Sequence, residues 1–262
     1  MITAASNSRI KRLVQLNQKS KLRRTEDVFL AEGVKMFLEA PREQLQEVYV
    51  SESFLEKCSC REHLEEVGYE VVSDSVFSKI SDTCTPQGVL CVLKQFHYNI
   101  EEMLRDKAPL FLLLENIQDP GNLGTMLRTG EGAGVSGIIM SRDTVDLYNP
   151  KVIRSTMGSI YRVPFYYADD FAAAVHQVQQ AGVSVYAAHL RGKNSYACQD
   201  YTKGTAFLIG NEGNGLREET AELADCYIRI PMEGKVESLN AAISATLLSY
   251  EVMRQRKRDR QN

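Results

Sequence analysis

The 262-residue chain predicts an α/β protein in which a C-terminal parallel sheet follows a smaller α/β domain. Two observations carry this expectation. From Leu110 onward, short continuous apolar runs alternate with helical segments, the pattern of strands covered on both faces by crossover helices. Upstream, helix and strand spacings alternate in shorter pieces. They give way to a polar, charged stretch over 95–109 (QFHYNIEEMLRDKAP) that marks a boundary. The domains are therefore set at residues 1–104 and 108–262.

Taken in order, residues 9–16 and 34–39 have the apolar spacing of helices, and 47–50 and 69–72 read as short buried strands. Thr85-Pro86-Gln87-Gly88 is a turn that leads into a strand over 89–93. In the second domain a strand over 110–115 runs into a polar loop, a helix and a strand over 137–140. A helix over 169–181, strands over 183–188, 206–210 and 226–230, and a closing Ala/Leu-rich helix over 239–256 complete it.

The composition, 44% hydrophobic and 25% charged, is that of an ordinary folded protein and argues against disorder. No apolar run approaches the roughly 20 residues of a membrane span. The basic N-terminus lacks the apolar stretch of a signal peptide. Cys58, Cys60, Cys84, Cys91, Cys198 and Cys226 form no CxxC pair, so they read as reduced thiols of a cytoplasmic protein with no metal site. Net charge is only −3, yet residues 1–25 contain Arg9, Lys11, Arg12, Lys19, Lys21, Arg23 and Arg24 and no acid. Such a cluster suits an RNA backbone, with Arg9, Lys11, Arg12, Lys21, Arg23 and Arg24 as the contacts expected. Arg254, Arg256, Lys257, Arg258 and Arg260 form a second cluster, which cations favoured at a helix C-terminus explain equally well.

Ligands of parallel sheets bind beyond the carboxyl ends of the strands, and three loops occupy that place. The first is 115–128 (ENIQDPGNLGTMLR), with Asn122 as the expected helix cap and Arg128 a turn and a half further on. The second, 207–216 (FLIGNEGNGL), sets Glu212 among glycines that leave the main chain bare. In the third, Ile230-Pro231-Met232 is followed by Ser238-Leu239-Asn240, with Ser238 as the expected cap of the last helix.

Together and in this order the loops resemble the three motifs of the SpoU (TrmH-like) branch of the SPOUT RNA methyltransferases. Asn122 to Arg128 matches the first, Gly210-Asn211-Glu212-Gly213-x-Gly215-Leu216 the second, and Ile230-Pro231-Met232 to Ser238-Leu239-Asn240 the third. Arg154-Ser155-Thr156-Met157-Gly158-Ser159 is similar to a further family segment. Asn7 to Lys11, Phe29-Leu30-Ala31-Glu32-Gly33 and Thr85-Pro86-Gln87-Gly88 resemble the L30e-like substrate-binding domain that often precedes the catalytic one. Asn211 stands where serine is commoner, and Ala241-Ala242 where bulkier residues are usual.

The resemblance implies a deep trefoil knot in the parallel sheet, a homodimer through the C-terminal domain, and S-adenosylmethionine as cofactor. It places the cofactor against Gly210, Ile230, Met232 and Leu239, and catalysis with Asn122, Arg128, Glu212, Ser238 and Asn240. The implied activity is 2'-O-ribose methylation of structured RNA, with ribosomal RNA favoured over tRNA by the L30e-like domain. A guanidinium is a poor proton acceptor, so Arg128 is assigned to stabilising the developing oxyanion, with an RNA phosphate or Glu212 taking the proton. A non-catalytic RNA-binding protein on the same scaffold is the alternative.

Two other classes fit less well. Gly132-Ala133-Gly134-Val135-Ser136-Gly137 spells the dinucleotide-binding GxGxxG, but it follows a helix and precedes a strand, the reverse of what that site requires. A hydrolase lacks support because His63, His97, His176 and His189 are scattered and read as structural.

Overall fold

The computed structural model describes residues 1–189 and 191–259. Arg260 of the C-terminal basic cluster lies outside the described residues. The chain forms two compact units, one of residues 1–96 with 146–161, the other of residues 97–145 with the chain from Arg162 onward.

The first unit is built on strands β1 (Val28–Glu32), β2 (Leu45–Ser51), β3 (Glu70–Val72) and β4 (Val89–Lys94), in the order β1-β4-β2-β3. β4 is antiparallel to both β1 and β2, and β3 is parallel to β2. Helices α1 (Ser8–Gln18), α2 (Ser20–Glu26), α3 (Val34–Leu38), α4 (Glu52–Lys57), α5 (Arg61–Val67) and α6 (Asp74–Ile80) connect and cover them. Ile10, Leu13 and Leu16 recur at helical spacing on α1 and pack with Leu30, Tyr49, Val72, Phe77 and Leu90 into one core.

In the second unit α7 (Ile100–Met103) precedes β5 (Leu110–Leu114), and α8 (Pro120–Ala133) leads to β6 (Gly137–Ser141). The chain then visits the first unit through α9 (Pro150–Thr156) before returning with β7 (Phe165–Ala168). The sequence boundary does not anticipate this excursion, and its cause is aromatic. Tyr148 stacks on Phe29 at 4.8 Å and its hydroxyl donates to Phe96 O, while Tyr161 donates to Met36 O at 3.0 Å. α10 (Phe171–Gln180), β8 (Ser184–Ala188), β9 (Asn194–Ser195), β10 (Thr205–Ile209), α11 (Glu218–Ala221), β11 (Cys226–Arg229) and α12 (Ala241–Asp259) follow.

The seven strands run β7-β6-β5-β10-β8-β11-β9, all pairs parallel, as the apolar runs predict. Phe111, Leu113, Ile139, Val185, Ala187, Ala206 and Leu208 pack with α10 and α7 in one core. α8 and α12 pack on each other, and α12 lies against β5 and β10. The GxGxxG letters resolve as expected: Gly134 ends α8 in the left-handed region at φ +80°, and Gly137 opens β6.

Both expected caps move. Asp119, not Asn122, caps α8, accepting from Asn122 N at 2.8 Å with Pro120 opening the helix. Asn240, not Ser238, caps α12, accepting from Ala242 N at 2.9 Å and Ile243 N at 3.2 Å. In each case an equally good capping residue sits nearer the helix start.

Candidate active site

β5 and β10 are neighbours in register, Leu114 opposite Ile209, and Glu115 N donates to Ile209 O at 2.9 Å. Their outgoing loops therefore start side by side. β8 and β11 are the next strands in the sheet, so the chain after Ala188 and after Arg229 converges on the same edge.

The 210–216 loop is a tight hairpin in which Asn211 and Gly215 exchange both backbone hydrogen bonds, at 3.0 and 2.9 Å. Only glycine fits at 210, because a Cβ there would lie 2.2 Å from Gly215 C and Leu216 N. Asn211 shows what its departure from serine brings. Its Oδ1 accepts from Gly213 N and Asn214 N at 3.0 and 3.1 Å, and its Nδ2 donates to Asn116 O at 2.8 Å. The side chain both builds the turn and ties it to the 115–119 loop.

Glu212 reaches across to that same loop. One oxygen accepts from Asp119 N and Asn122 Nδ2, both at 3.0 Å, and the other from Gln118 N at 3.1 Å. Partial burial pushes the Glu212 carboxyl up, but these three donors outweigh it and hold it below the ordinary glutamate range. Asn122 Oδ1 in turn accepts from Asn240 Nδ2 at 3.0 Å. The chain Asn240–Asn122–Glu212 thus links all three loops, its Asn240–Asn122 step alone spanning 118 residues of sequence.

A cavity of about 290 Å³ opens over this chain, close to the lower limit of small-molecule pockets. Gly210, Ile230, Met232 and Leu239, the four expected cofactor contacts, all line it, as do Glu212 and Ser238. Asn122 and Asn240 stand behind Glu212 rather than in the wall. Arg128 is not brought in: it is an exposed residue of α8 outside the lining, with no ion pair among the described residues. Apolar Ile209, Leu216, Ile230, Met232 and Leu239 face uncovered main chain at 210–215, a donor set suited to a nucleoside, whose flat base needs apolar walls and whose edge can be read by peptide groups.

His189 and Arg229 also line the cavity, and sequence reading missed both. His189 stacks on Tyr227 at 5.1 Å and its Nδ1 accepts from Arg191 N at 3.2 Å. The signal available was its place just past the end of β8, the same edge that singles out the three loops.

Several expected RNA contacts are engaged elsewhere. Arg23 is a correction: it is only 3% exposed and donates to Leu16 O, Asn17 O and Asp146. Arg12 lies between Glu26 and Glu47 at 2.6 and 2.7 Å, and Arg9 pairs with Glu70 at 2.9 Å. Acids distant in sequence thus neutralise part of a cluster that is acid-free locally. Lys11, Lys21 and Arg24 remain exposed without an ion pair among the described residues. In the second cluster Arg256 is structural, donating to Tyr201 O, Ala108 O, Pro109 O and Lys203 O.

Residues 109–250 match the model of the SpoU rRNA Methylase family, and residues 7–91 that of the MRM3-like substrate binding domain. The chain is 32% identical to the 23S rRNA (guanosine(2553)-2'-O)-methyltransferase RlmP of Bacillus subtilis, over 96% of this chain and 98% of that one. Among solved structures, the AdoMet-bound rRNA methyltransferase of Sinorhizobium meliloti superposes with TM-score 0.83 at 30% identity, covering 97% of each chain. The SpoU methyltransferase AviRb of Streptomyces viridochromogenes, in complex with AdoMet, gives 0.86 at 26% identity over 96% of this chain and 98% of that one.

Proposed function

Because the chain belongs to the SpoU rRNA methylase family, we propose that it transfers a methyl group from S-adenosylmethionine to a ribose 2'-hydroxyl of ribosomal RNA. The observation that carries this reading is the Asn240–Asn122–Glu212 chain, which ties the first loop to the two loops that line one nucleoside-sized cavity. Ribosomal RNA is favoured over tRNA because a relative matched over nearly the whole chain is named for 23S rRNA.

Gly210, Ile230, Met232 and Leu239 would hold the cofactor through main-chain groups and apolar contact. Bound there, S-adenosylmethionine supplies a methyl group already activated by its sulfonium. The remaining work belongs to the chain: orienting a ribose hydroxyl and stabilising the charge that develops on its oxygen. The second task is assigned, on the family resemblance, to Arg128, a cation of α8 that stands outside the cavity wall and has no ion pair among the described residues. Ser238, exposed in the cavity wall, orients the ribose. Glu212 is saturated with donors and held in its ionised form, so it positions Asn122 and the 115–119 loop, and the proton leaves to an RNA phosphate.

The functional parts are 1–104, which holds RNA through Lys11, Lys21 and Arg24, and 108–262, which is threaded as a trefoil knot. The enzyme is a homodimer. Ile243, Leu247 and Tyr250, 50%, 36% and 41% exposed, form an apolar stripe at i, i+4, i+7 on α12 that a second copy would cover. A monomer mass by light scattering would remove that element. The cytoplasm is the proposed location, in keeping with six cysteines outside any disulfide.

The test is methylation of ribosomal RNA by the wild type and by Arg128→Ala, with the modified position mapped. The variant is expected to abolish transfer while cofactor affinity stays within about twofold. Joint loss of both refutes the division of labour, and wild-type transfer to tRNA alone refutes the substrate.

A further inference from the structure

Glu115 directly follows β5, is only 2% exposed, and plays no part in the chemistry above. Its carboxylate collects three donors from the far end of the cofactor loop. It accepts from Arg217 N at 2.8 Å, from Arg217 Nη1 at 3.4 Å and from Thr220 Oγ1. The other arm of Arg217 donates to Asp143, which also accepts from Ser141 Oγ. Ser141 Oγ accepts from Asn116 N at 2.8 Å, and Asp143 O from Gln118 Nε2 at 2.6 Å. The 115–119, 141–144 and 210–220 segments are therefore clamped together around one buried anion.

Burying a carboxylate is unfavourable unless charge and hydrogen bonds offset it. A site needing only packing would be served by an apolar side chain. Here three donors converge from one side, and only a group with acceptors on both oxygens satisfies all of them. The 210–216 loop leaves β10 in fixed register, and its exit at Arg217 is fixed by Glu115. Between these anchors lie the backbone groups that line the cavity.

We propose that Glu115 is a positioning residue for cofactor binding, holding the exit of the 210–216 loop so that its main chain faces the cavity. The proposal rests on the reading of that cavity as the S-adenosylmethionine site. Glu115→Gln keeps the shape but turns one acceptor into a donor that meets Arg217 N or Thr220 Oγ1. Calorimetric titration with S-adenosylmethionine is expected to show Kd raised about tenfold, equivalent to about 1.4 kcal/mol. At saturating cofactor, kcat should fall far less than Kd rises, and backbone amides of 211–216 should exchange faster. Thr220→Val, which removes one donor and keeps the volume, should shift Kd in the same direction by less.

Failure of the wild type to bind S-adenosylmethionine overturns the site reading and this proposal together. Wild-type binding with unchanged Kd in both variants overturns this proposal alone. So does a lowered Tm in both with Kd intact, which would make Glu115 a plain structural anchor. Should Glu115→Gln not fold, Thr220→Val decides the matter by the same Kd criterion.

Discussion

Glu212→Gln separates an acceptor role from a space-filling one. In the wild type two carboxylate oxygens serve three donors: Asp119 N and Asn122 Nδ2 on one, Gln118 N on the other. Glutamine has one acceptor oxygen, so placing it against Asp119 and Asn122 turns an NH2 towards Gln118 N. One charge-assisted contact is lost and a donor–donor opposition replaces it. Hydrogen bonds to charged groups contribute about 1.5–3 kcal/mol when buried. Glu212 is exposed, so water recovers part of that and about 1 kcal/mol remains, a loss of five- to tenfold in cofactor affinity. The pH dependence has a definite sign. The folded-state pKa lies below the ordinary glutamate value of 4.5, so the ionised carboxylate adds stability above 4.5 that is lost as pH falls through the lower folded value. Wild-type affinity should be flat from pH 8 to 5 and decline below 4.5 towards that of the glutamine variant, which has no such decline. Calorimetry with S-adenosylmethionine across this range reads both effects. A glutamine variant with wild-type affinity at pH 7 would refute the acceptor argument outright.

Further outcomes follow from individual contacts. Gly210→Ala should eliminate measurable cofactor binding, because its Cβ would stand 2.2 Å from main-chain atoms that cannot yield; retained binding by calorimetry would mean the hairpin opens at little cost. Ser249 is fully buried on α12 with a hydroxyl that has no hydrogen-bond partner among the described residues, so Ser249→Ala should stabilise by about 1 kcal/mol and raise Tm by about 2–4 °C in a thermal melt. Arg23→Ala should cost about 3 kcal/mol, since it strips the buried partner of Asp146 and two carbonyls. Arg24→Ala and Lys21→Ala should leave Tm unchanged and each reduce the salt slope of RNA binding by about one, and equal behaviour of all three would erase the distinction between buried and exposed cations.

The sequence made the second unit legible because its strands are buried on both faces: runs such as 110–114 and 206–209 are unbroken apolar stretches. β1 and β7 escaped notice for physical reasons. β1 follows α2 after the single residue Asp27, in the left-handed conformation at φ +55°, so no turn signal precedes it. β7 is an edge strand with half-exposed tyrosines at 166 and 167. The excursion of residues 146–161 was invisible as well, because Tyr148 and Tyr161 find their partners at Phe96 and Met36, contacts that no local periodicity encodes.

Within the site, residue types were readable and roles were not. Asn122, Ser238 and Asn240 are all credible caps by composition, yet Asp119 and Asn240 hold those positions. The displacement has a chemical consequence. With Asp119 capping α8, Asn122 sits a turn inside the helix, and its amide is free to accept from Asn240 on one side and donate to Glu212 on the other. Asn240 does both jobs at once, its oxygen closing α12 and its nitrogen reaching Asn122. A short amide side chain offers a donor and an acceptor at fixed separation without a charge. Two of them in series carry the position of one helix start to the other and end on the acceptor-only carboxylate of Glu212. Aspartate at 122 would set an anion against Glu212, and at 240 it would turn an acceptor towards Asn122 Oδ1, whereas serine would fall short of the reach, so the spacing of asparagines across the three motifs follows from the geometry of the relay itself.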